Sequence, residues 1–195
     1  PQADLRLSAS FVDSVLPAPR ARTLTAQPPT AEWGGPTVAS DGETVTIYFS
    51  SSYTVDPNLQ KKWADFMTTL VHGPELATVT IHLAPLTEVQ RYCGPNAAAC
   101  YSPRSQVIYA PGDNPDSQTT AEGVLAHEFG HHVANSRTNP PFASVDYGTK
   151  RWSTYENICS RANRGAVFPG AEDSEHYMLN PGEAFAEDYR TTTTV

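Results

Sequence analysis

The stretch "VLAHEFGHHVANS", residues 124–136, places three histidines and one glutamate within six positions of an apolar segment. Apolar residues recur at helical spacing from Val124 to Val133, which predicts an α-helix with one face packed on a core. Upstream, Thr119 and Glu122 fit a capping box and indicate where this helix begins. Either the histidines form a metal site, or they are polar residues on a solvent-exposed face.

The spacing of the polar residues favours the metal site. His127 and His131 are four apart, so on a helix their imidazoles stand on one face and can converge on a single ion. Glu128 is rotated by about 100° from His127, which suits it to hold a water on that ion. This order is the HExxH motif. His132 points to another side of the helix, so we expect it to contact a neighbouring element or solvent without a metal role.

A third protein ligand has to come from elsewhere, because a catalytic zinc keeps three protein ligands and one open position. Ala134 and Arg137 stand where metzincins continue their motif with a glycine and a further ligand, so that pattern is absent. The segment "NPGEAFAED" (180–188) offers Glu183 and Glu187, one helical turn apart. Glu183 is our candidate third ligand, and Glu187 is placed to accept the proton on the other ring nitrogen of a ligand histidine.

Glu183 also has a simpler interpretation, because Asn180 and Glu183 fit a capping box at the start of the same helix. Other acidic residues of the preceding loop are alternative third ligands: Glu172, Asp173 and Glu175. The segment "EHYMLN" (175–180) contains two candidate donors for the oxyanion of amide hydrolysis, Tyr177 first and His176 second. Both could equally be packing or polar loop residues.

Together, these segments resemble the gluzincin class of zinc metallopeptidases, whose thermolysin-type members combine HExxH with a downstream helix of the form ExxxD or ExxxE. The segment "NPGEAFAEDYR" (180–190) is similar to that of lethal-factor-like bacterial peptidases. The resemblance rests on residues 119–136 and 180–190, under a third of the chain.

The resemblance implies a zinc metalloendopeptidase that cleaves a peptide or protein substrate. Zinc would be bound by His127, His131 and Glu183, Glu128 would be the general base that deprotonates a zinc-bound water, and Glu187 would orient a ligand histidine. Two alternatives are a zinc hydrolase acting on a non-peptide amide or specialised small substrate, and a non-catalytic metal-binding module. Glu128 speaks against the second alternative, since a structural metal site needs no base.

Hydropathy patterns predict an α+β fold. Alternating, β-branched segments indicate strands near residues 44–50, 78–84 and 105–110. The stretch 56–73 indicates an amphipathic helix that begins at Asp56 and Pro57 and ends at Gly73. Two later helices are predicted, one over 153–165, with Ser153 and Glu156 as capping box, and one that follows Asn180 as cap.

The expected architecture is zincin-like, with a small mixed sheet of about three to four strands packed on the motif helix and a mainly helical C-terminal part. The strand near 105–110 is expected at the sheet edge, where a peptide could add to it. Residues 1–40 are proline-rich and are interpreted as an arm, a linker or a remnant of a pro-segment. Residues 41–195 form one metallopeptidase domain, with a sheet-containing lobe (41–136) and a helical or loop lobe (137–195).

Composition limits the partners and the compartment. The net charge of −8 and the isoelectric point near 5.1 argue against nucleic acid and against an anionic membrane surface. The sequence contains no run of 18 apolar residues, so it predicts no membrane-spanning helix. Cys93 and Cys100 bracket a short turn suited to a disulfide, which indicates a secreted or extracellular protein. We expect a monomer. Cys159 is then unpaired and is expected to be buried.

Overall fold

A mixed five-stranded sheet organises the part of the chain that the computed structural model describes, residues 31–137, 140 and 142–194. Its strands are β1 (Glu32–Val38), β2 (Thr44–Ser50), β3 (Thr80–Ala84), β4 (Cys100–Ser102) and β5 (Val107–Pro111). Across the sheet the order is β1-β2-β3-β5-β4. The central strands β2, β3 and β5 are parallel, and the edge strands β1 and β4 are antiparallel to their neighbours. The α+β class is confirmed, with five strands instead of three to four.

Seven α-helices are seen in the described residues. They are α1 (Pro57–Thr69), α2 (Leu86–Cys93), α3 (Ala121–Ser136), α4 (Ser144–Tyr147), α5 (Lys150–Tyr155), α6 (Ile158–Asn163) and α7 (Pro181–Thr193). Short 3-10 turns occupy Pro74–Thr78 and Tyr177–Leu179. The helices after α3 form the mainly helical C-terminal part that the sequence predicted.

The core lies between one face of the sheet and the helices α1 and α3. Strand β2 alternates as predicted, with Val45, Ile47 and Phe49 completely buried. The inward-facing residues of β3 and β5 belong to the same cluster, together with Trp63 of α1 and Phe129 of α3. Burial of an aromatic or branched side chain stabilises the fold by about 1.5–3 kcal/mol each, so this layer fixes α3 against the sheet.

The helix starts follow local cap chemistry. Asp56 accepts a hydrogen bond from the Asn58 backbone N at 2.9 Å, as the sequence predicted for α1, although α1 ends at Thr69 and not at Gly73. The capping box predicted for α3 is one residue early. The cap is Thr120, whose hydroxyl accepts from the Gly123 backbone N at 3.0 Å. The Thr119 N–H, which Glu122 would bind in the predicted box, donates to the Asp116 carboxylate at 2.7 Å.

Strand β1 falls inside the predicted arm. Residues 1–30 of that arm lie outside the described residues, but its later part pairs with β2 from Glu32↔Ser50 to Val38↔Thr44. Gly34, Gly35 and Pro36 weaken the local strand signal. Tertiary contacts override it, including a stack of the Trp33 ring on Phe49 at 4.4 Å between centroids.

The predicted helix over 153–165 is two helices, α5 and α6. Asn157 between them has a left-handed backbone (φ 53°) that a continuous helix does not allow. Ser153 is therefore inside α5 and not its cap, and its hydroxyl donates to the Tyr147 carbonyl. The predicted capping box is wrong because the helix already begins at Lys150, after Thr149.

The edge of the sheet beside α3 is β4 and not the strand near 105–110. That strand, β5, lies between β3 and β4, with Ile108 paired to Ile81 on one side and to Tyr101 on the other. The three-residue strand β4 is too short for a periodicity signal, so the sequence pattern did not reveal it.

The predicted pairing of the cysteines is confirmed, but the predicted burial of Cys159 is wrong. Cys93 at the end of α2 and Cys100 at the start of β4 form a disulfide, while Cys159 is free and exposed. Among the described helices, none is both long enough and apolar enough to cross a bilayer.

We expect replacement of Cys93 and Cys100 by serine to lower the free energy of unfolding by about 2–3 kcal/mol, because the unfolded chain regains the entropy of a short closed loop. Urea denaturation under oxidising conditions measures this loss. The matched control is Cys159→Ser, which should change the free energy of unfolding by less than about 0.5 kcal/mol because its side chain is exposed. Equal stabilities of the double variant and the wild type would contradict the prediction.

Candidate metal centre

The motif residues lie on the buried side of α3. His127 and Glu128 are each 2% exposed and His131 is 8% exposed, so the interpretation of the histidines as a solvent-exposed face is wrong. A buried imidazole or carboxyl group needs a polar partner to offset the loss of water. The partners come from α7.

Helix α7 reaches α3 because the two backbones touch at Gly130. A Cβ atom at Gly130 would lie 3.0 Å from the Ala186 Cα and 3.2 Å from the Tyr189 Cβ, tighter than ordinary packing. At the start of α7, Asn180 is the predicted cap and accepts from the Gly182 backbone N at 2.9 Å. This crossing directs Glu183, in the first turn of α7, at the two motif histidines.

Three ligand atoms converge at the crossing. The Glu183 Oε2 lies 3.3 Å from the His127 Nε2 and 3.4 Å from the His131 Nε2. A tetrahedral site with zinc bonds of about 2.1 Å has ligand atoms about 3.4 Å apart, so these separations fit a zinc-sized ion. Two imidazoles and one carboxylate are also the ligand set of catalytic zinc. His127, His131 and Glu183 therefore form a group that could hold a metal.

The alternative interpretations of Glu183 do not match the geometry. In a capping box, Glu183 would bond the Asn180 backbone N, but that N–H donates to the Tyr177 carbonyl at 2.9 Å. Asp173 and Glu175 group with His176 in an exposed cluster instead. Glu172 lines the cleft beside the histidines without joining their ligand group.

Charge on the metal-free cluster is balanced internally. Burial alone would lower the pKa of His127, but the Glu183 and Glu187 carboxylates outweigh it and raise that pKa to about 10. Burial works to raise the pKa of Glu183, and the two histidines more than reverse this, so its pKa lies well below the ordinary range. The pKa of Glu128 is raised, mainly by burial.

Glu187 lies on the other side of His127, as expected. Its Oε2 is 3.5 Å from the His127 Nδ1, which is an electrostatic contact and not a well-formed hydrogen bond. Arg190, which the sequence analysis missed, donates from its Nε to the same oxygen at 2.8 Å. Burial raises the pKa of Glu187, but Arg190 and His127 together hold it down at about 2, so a carboxylate faces the ligand histidine.

The two candidate oxyanion donors have different positions. Tyr177 is 5% exposed and its hydroxyl donates to the Glu183 Oε2 at 2.5 Å, inside the cluster. The His176 ring instead bonds Asp173 through Nδ1 at 2.9 Å and contacts the Phe168 ring. The structure brings Tyr177 to the ligands and does not bring His176.

An open cleft leads to the cluster. Its lining includes Glu128, His131, Tyr177 and Glu183, together with Tyr101 of β4 and Asp146 of α4. Sequence reasoning missed Tyr101 and Asp146, because both lie in short elements whose place beside α3 is set by tertiary packing.

The comparisons with known proteins add no relative: no family model matches the chain, and no curated protein matches it in sequence.

The metal-free protein should lose stability as the pH rises from about 6.5 to 9. In this range folded His127, with its pKa raised to about 10, keeps a proton that the unfolded chain has released. The free energy of unfolding should fall by at most about 1.4 kcal/mol per pH unit. Urea denaturation in a chelator measures the slope, and His127→Gln should flatten it. A wild-type stability that stays constant or rises over this range would contradict the assignment.

Proposed function

We propose that this protein is a zinc-dependent metallopeptidase of the gluzincin type, with a zincin-like fold. The observation that supports it best is the convergence of His127, His131 and Glu183, with Glu128 buried beside them, next to an open cleft that His131, Glu183 and Glu128 line. A structural metal site is closed by four protein ligands, whereas a set of three ligands beside a cleft leaves room for a reacting group. The disulfide agrees with secretion into an oxidising compartment, which we propose as the location.

Glu128 is the proposed general base. When bound, zinc would polarise the scissile carbonyl and lower the pKa of water toward neutrality. Glu128 accepts a proton from the attacking water and passes it to the leaving amine. Its burial supports this role, because a carboxyl group with a raised pKa takes and returns a proton near neutral pH more readily than an exposed one.

Tyr177 is the proposed oxyanion donor. Burial is the largest cause that raises the pKa of its phenol, so the hydroxyl stays protonated and remains a hydrogen-bond donor. The hydroxyl donates to Glu183, one of the proposed metal ligands. A hydroxyl fixed beside the reacting carbonyl stabilises the negative charge that develops there without reorganising solvent.

The substrate main chain is proposed to add to β4. Among the described strands, β4 pairs with β5 alone, and its residues Cys100 and Tyr101 line the cleft. Its other edge offers backbone donors and acceptors to an extended peptide, which favours a peptide substrate over a small non-peptide amide.

One pair of variants tests the proposed function. Glu128→Gln should retain one zinc per chain and lose peptide cleavage by about 10²–10⁴-fold, because only the base is removed. Glu183→Ala should lose both zinc and cleavage, because a ligand is removed. Metal analysis and a quenched peptide library measure the two properties.

Glu122→Gln is the matched control for these variants, since Glu122 lies on the same helix and its side chain is paired with Lys62 toward solvent. Its zinc content and rate should equal those of the wild type. Cleavage that survives in Glu128→Gln would overturn the mechanism, and zinc retained by Glu183→Ala would overturn the ligand set.

Charge in the cleft predicts the substrate class. Asp146 lines it outside the balanced cluster, and the described lining residues include no lysine or arginine. Peptides with lysine or arginine next to the cut bond should therefore be cleaved about fivefold faster (kcat/KM) than acidic ones, as a partly exposed ion pair would give.

Asp146→Asn should reduce this preference for basic peptides, whereas Asp41→Asn, an exposed aspartate of the β1–β2 turn, should not. Initial rates on matched lysine, alanine and glutamate peptides at low salt measure it. A preference for the glutamate peptide would contradict the prediction.

A further inference from the structure

The third histidine of the motif joins α3 to the edge of the sheet. His132 is completely buried, and its Nδ1 lies 3.0 Å from the hydroxyl oxygen of Tyr101 on β4. Its Nε2 lies 2.8 Å from the Glu75 carbonyl oxygen, in the 3-10 turn before β3. The expected contact with a neighbouring element is confirmed, and both ring nitrogens have a partner.

The partners decide which nitrogen of His132 carries the proton. The Glu75 carbonyl only accepts hydrogen bonds, so the proton is on Nε2. Nδ1 is then an acceptor, and the Tyr101 hydroxyl donates to it. Asn135, one turn further along α3, donates from its Nδ2 to the Tyr101 hydroxyl oxygen at 2.9 Å. Each of these donors from Asn135, Tyr101 and His132 has an acceptor. A buried polar network rigidifies a structure when its donors and acceptors are paired in this way.

Both ends of β4 are tied to other elements, one by this hydrogen-bond network and one by the disulfide. Asn135 also donates to the Pro103 carbonyl at 3.2 Å, directly after the strand, and the disulfide ties Cys100 at its start to α2. Without these links, the three residues of β4 would be held by one ladder with β5, and a short edge strand held on one side frays easily. Residues of α3 thus determine where β4 lies relative to the metal ligands.

We propose that His132 is a positioning residue that, through the Tyr101 hydroxyl, holds edge strand β4 at a fixed distance from the metal ligands so that it aligns a substrate main chain. This inference rests on the proposed function. His132 follows His131 directly in α3, so the helix that holds the metal ligands also holds the strand. Fixing both on one rigid element keeps the backbone donors and acceptors of β4 where a substrate main chain can bind, so binding does not first have to order the strand.

Two substitutions separate the two hydrogen bonds of His132. Gln at this position retains a donor near the place of Nε2 for the Glu75 carbonyl and loses the acceptor for Tyr101. Asn retains an acceptor near the place of Nδ1 and loses the donor to Glu75. Tyr101→Phe removes the same link as His132→Gln from the other side, with little change in volume.

The expected result is a KM raised about five- to tenfold in both Tyr101→Phe and His132→Gln, the effect of one lost hydrogen bond, with kcat within about twofold and one zinc per chain. His132→Asn should be closer to the wild type in KM. In the metal-free protein, amide hydrogen exchange over residues 100–103 should be faster in the first two variants than in His132→Asn. Tyr109→Phe is the matched control, because Tyr109 is a 5%-exposed tyrosine of the adjacent strand β5 and should have the wild-type KM and exchange rate.

The outcomes distinguish this inference from the proposed function. If the wild type cleaves peptides but Tyr101→Phe and His132→Gln keep its KM, or if kcat and zinc content fall instead, then His132 is only structural and the inference is overturned. If the wild type neither binds zinc nor cleaves any peptide, the proposed function fails and the inference fails with it. A raised KM in Tyr109→Phe as well would attribute the effect to general loss of sheet stability and would also overturn the inference.

Discussion

The contact between α3 and α7 at Gly130 is the constraint on which the site depends. The motif helix supplies two imidazoles, but a third ligand reaches them only if the second helix lies almost against the first backbone. The Ala186 Cα lies 3.0 Å from where a Cβ of Gly130 would be, so any side chain at residue 130 would push the helices apart. Small residues at this crossing and the cap at Asn180, which fixes where α7 begins, place Glu183 in range of His127 and His131.

The cost of burying this many ionisable groups explains how the centre is built. Each buried charge loses hydration, and without a partner it would shift its pKa or destabilise the fold. Here the carboxylates and imidazoles compensate one another, and Arg190 supplies a further positive charge behind Glu187. The group that could hold a metal is therefore also a group whose charges compensate one another. A polar cluster of this kind stabilises the fold less than apolar side chains of the same volume would, which is a common cost of a functional site.

A second polar network, separate from the candidate metal ligands, holds Tyr101, which lines the cleft. His132, Tyr101 and Asn135 join α3 to β4, and the disulfide joins β4 to α2. Neighbouring residues of the longest described helix therefore contact different elements: Phe129 packs in the sheet core, Gly130 on α7, and His132 bonds the edge strand and the 3-10 turn before β3. Because consecutive residues of a helix point about 100° apart, one short motif can serve all of these contacts.

The local chemistry of the sequence determined the elements with strong, short-range signals. Helical spacing identified α3 and placed His127 and His131 on one face, the Asn180 cap and Pro181 identified the start of α7, and alternation identified β2. The choice of Glu183 drew in addition on the resemblance to gluzincins, whereas the separation of Glu183 and Glu187 by one turn followed from helical geometry. Only tertiary structure decided that β1 and β4 are strands, that β4 and not β5 is the edge, and that Tyr101, Asp146 and Arg190 surround the site. These features depend on contacts between residues far apart in sequence, such as Trp33 with Phe49 and Tyr101 with His132, whose energies override the weak local preferences of glycine, proline and three-residue segments.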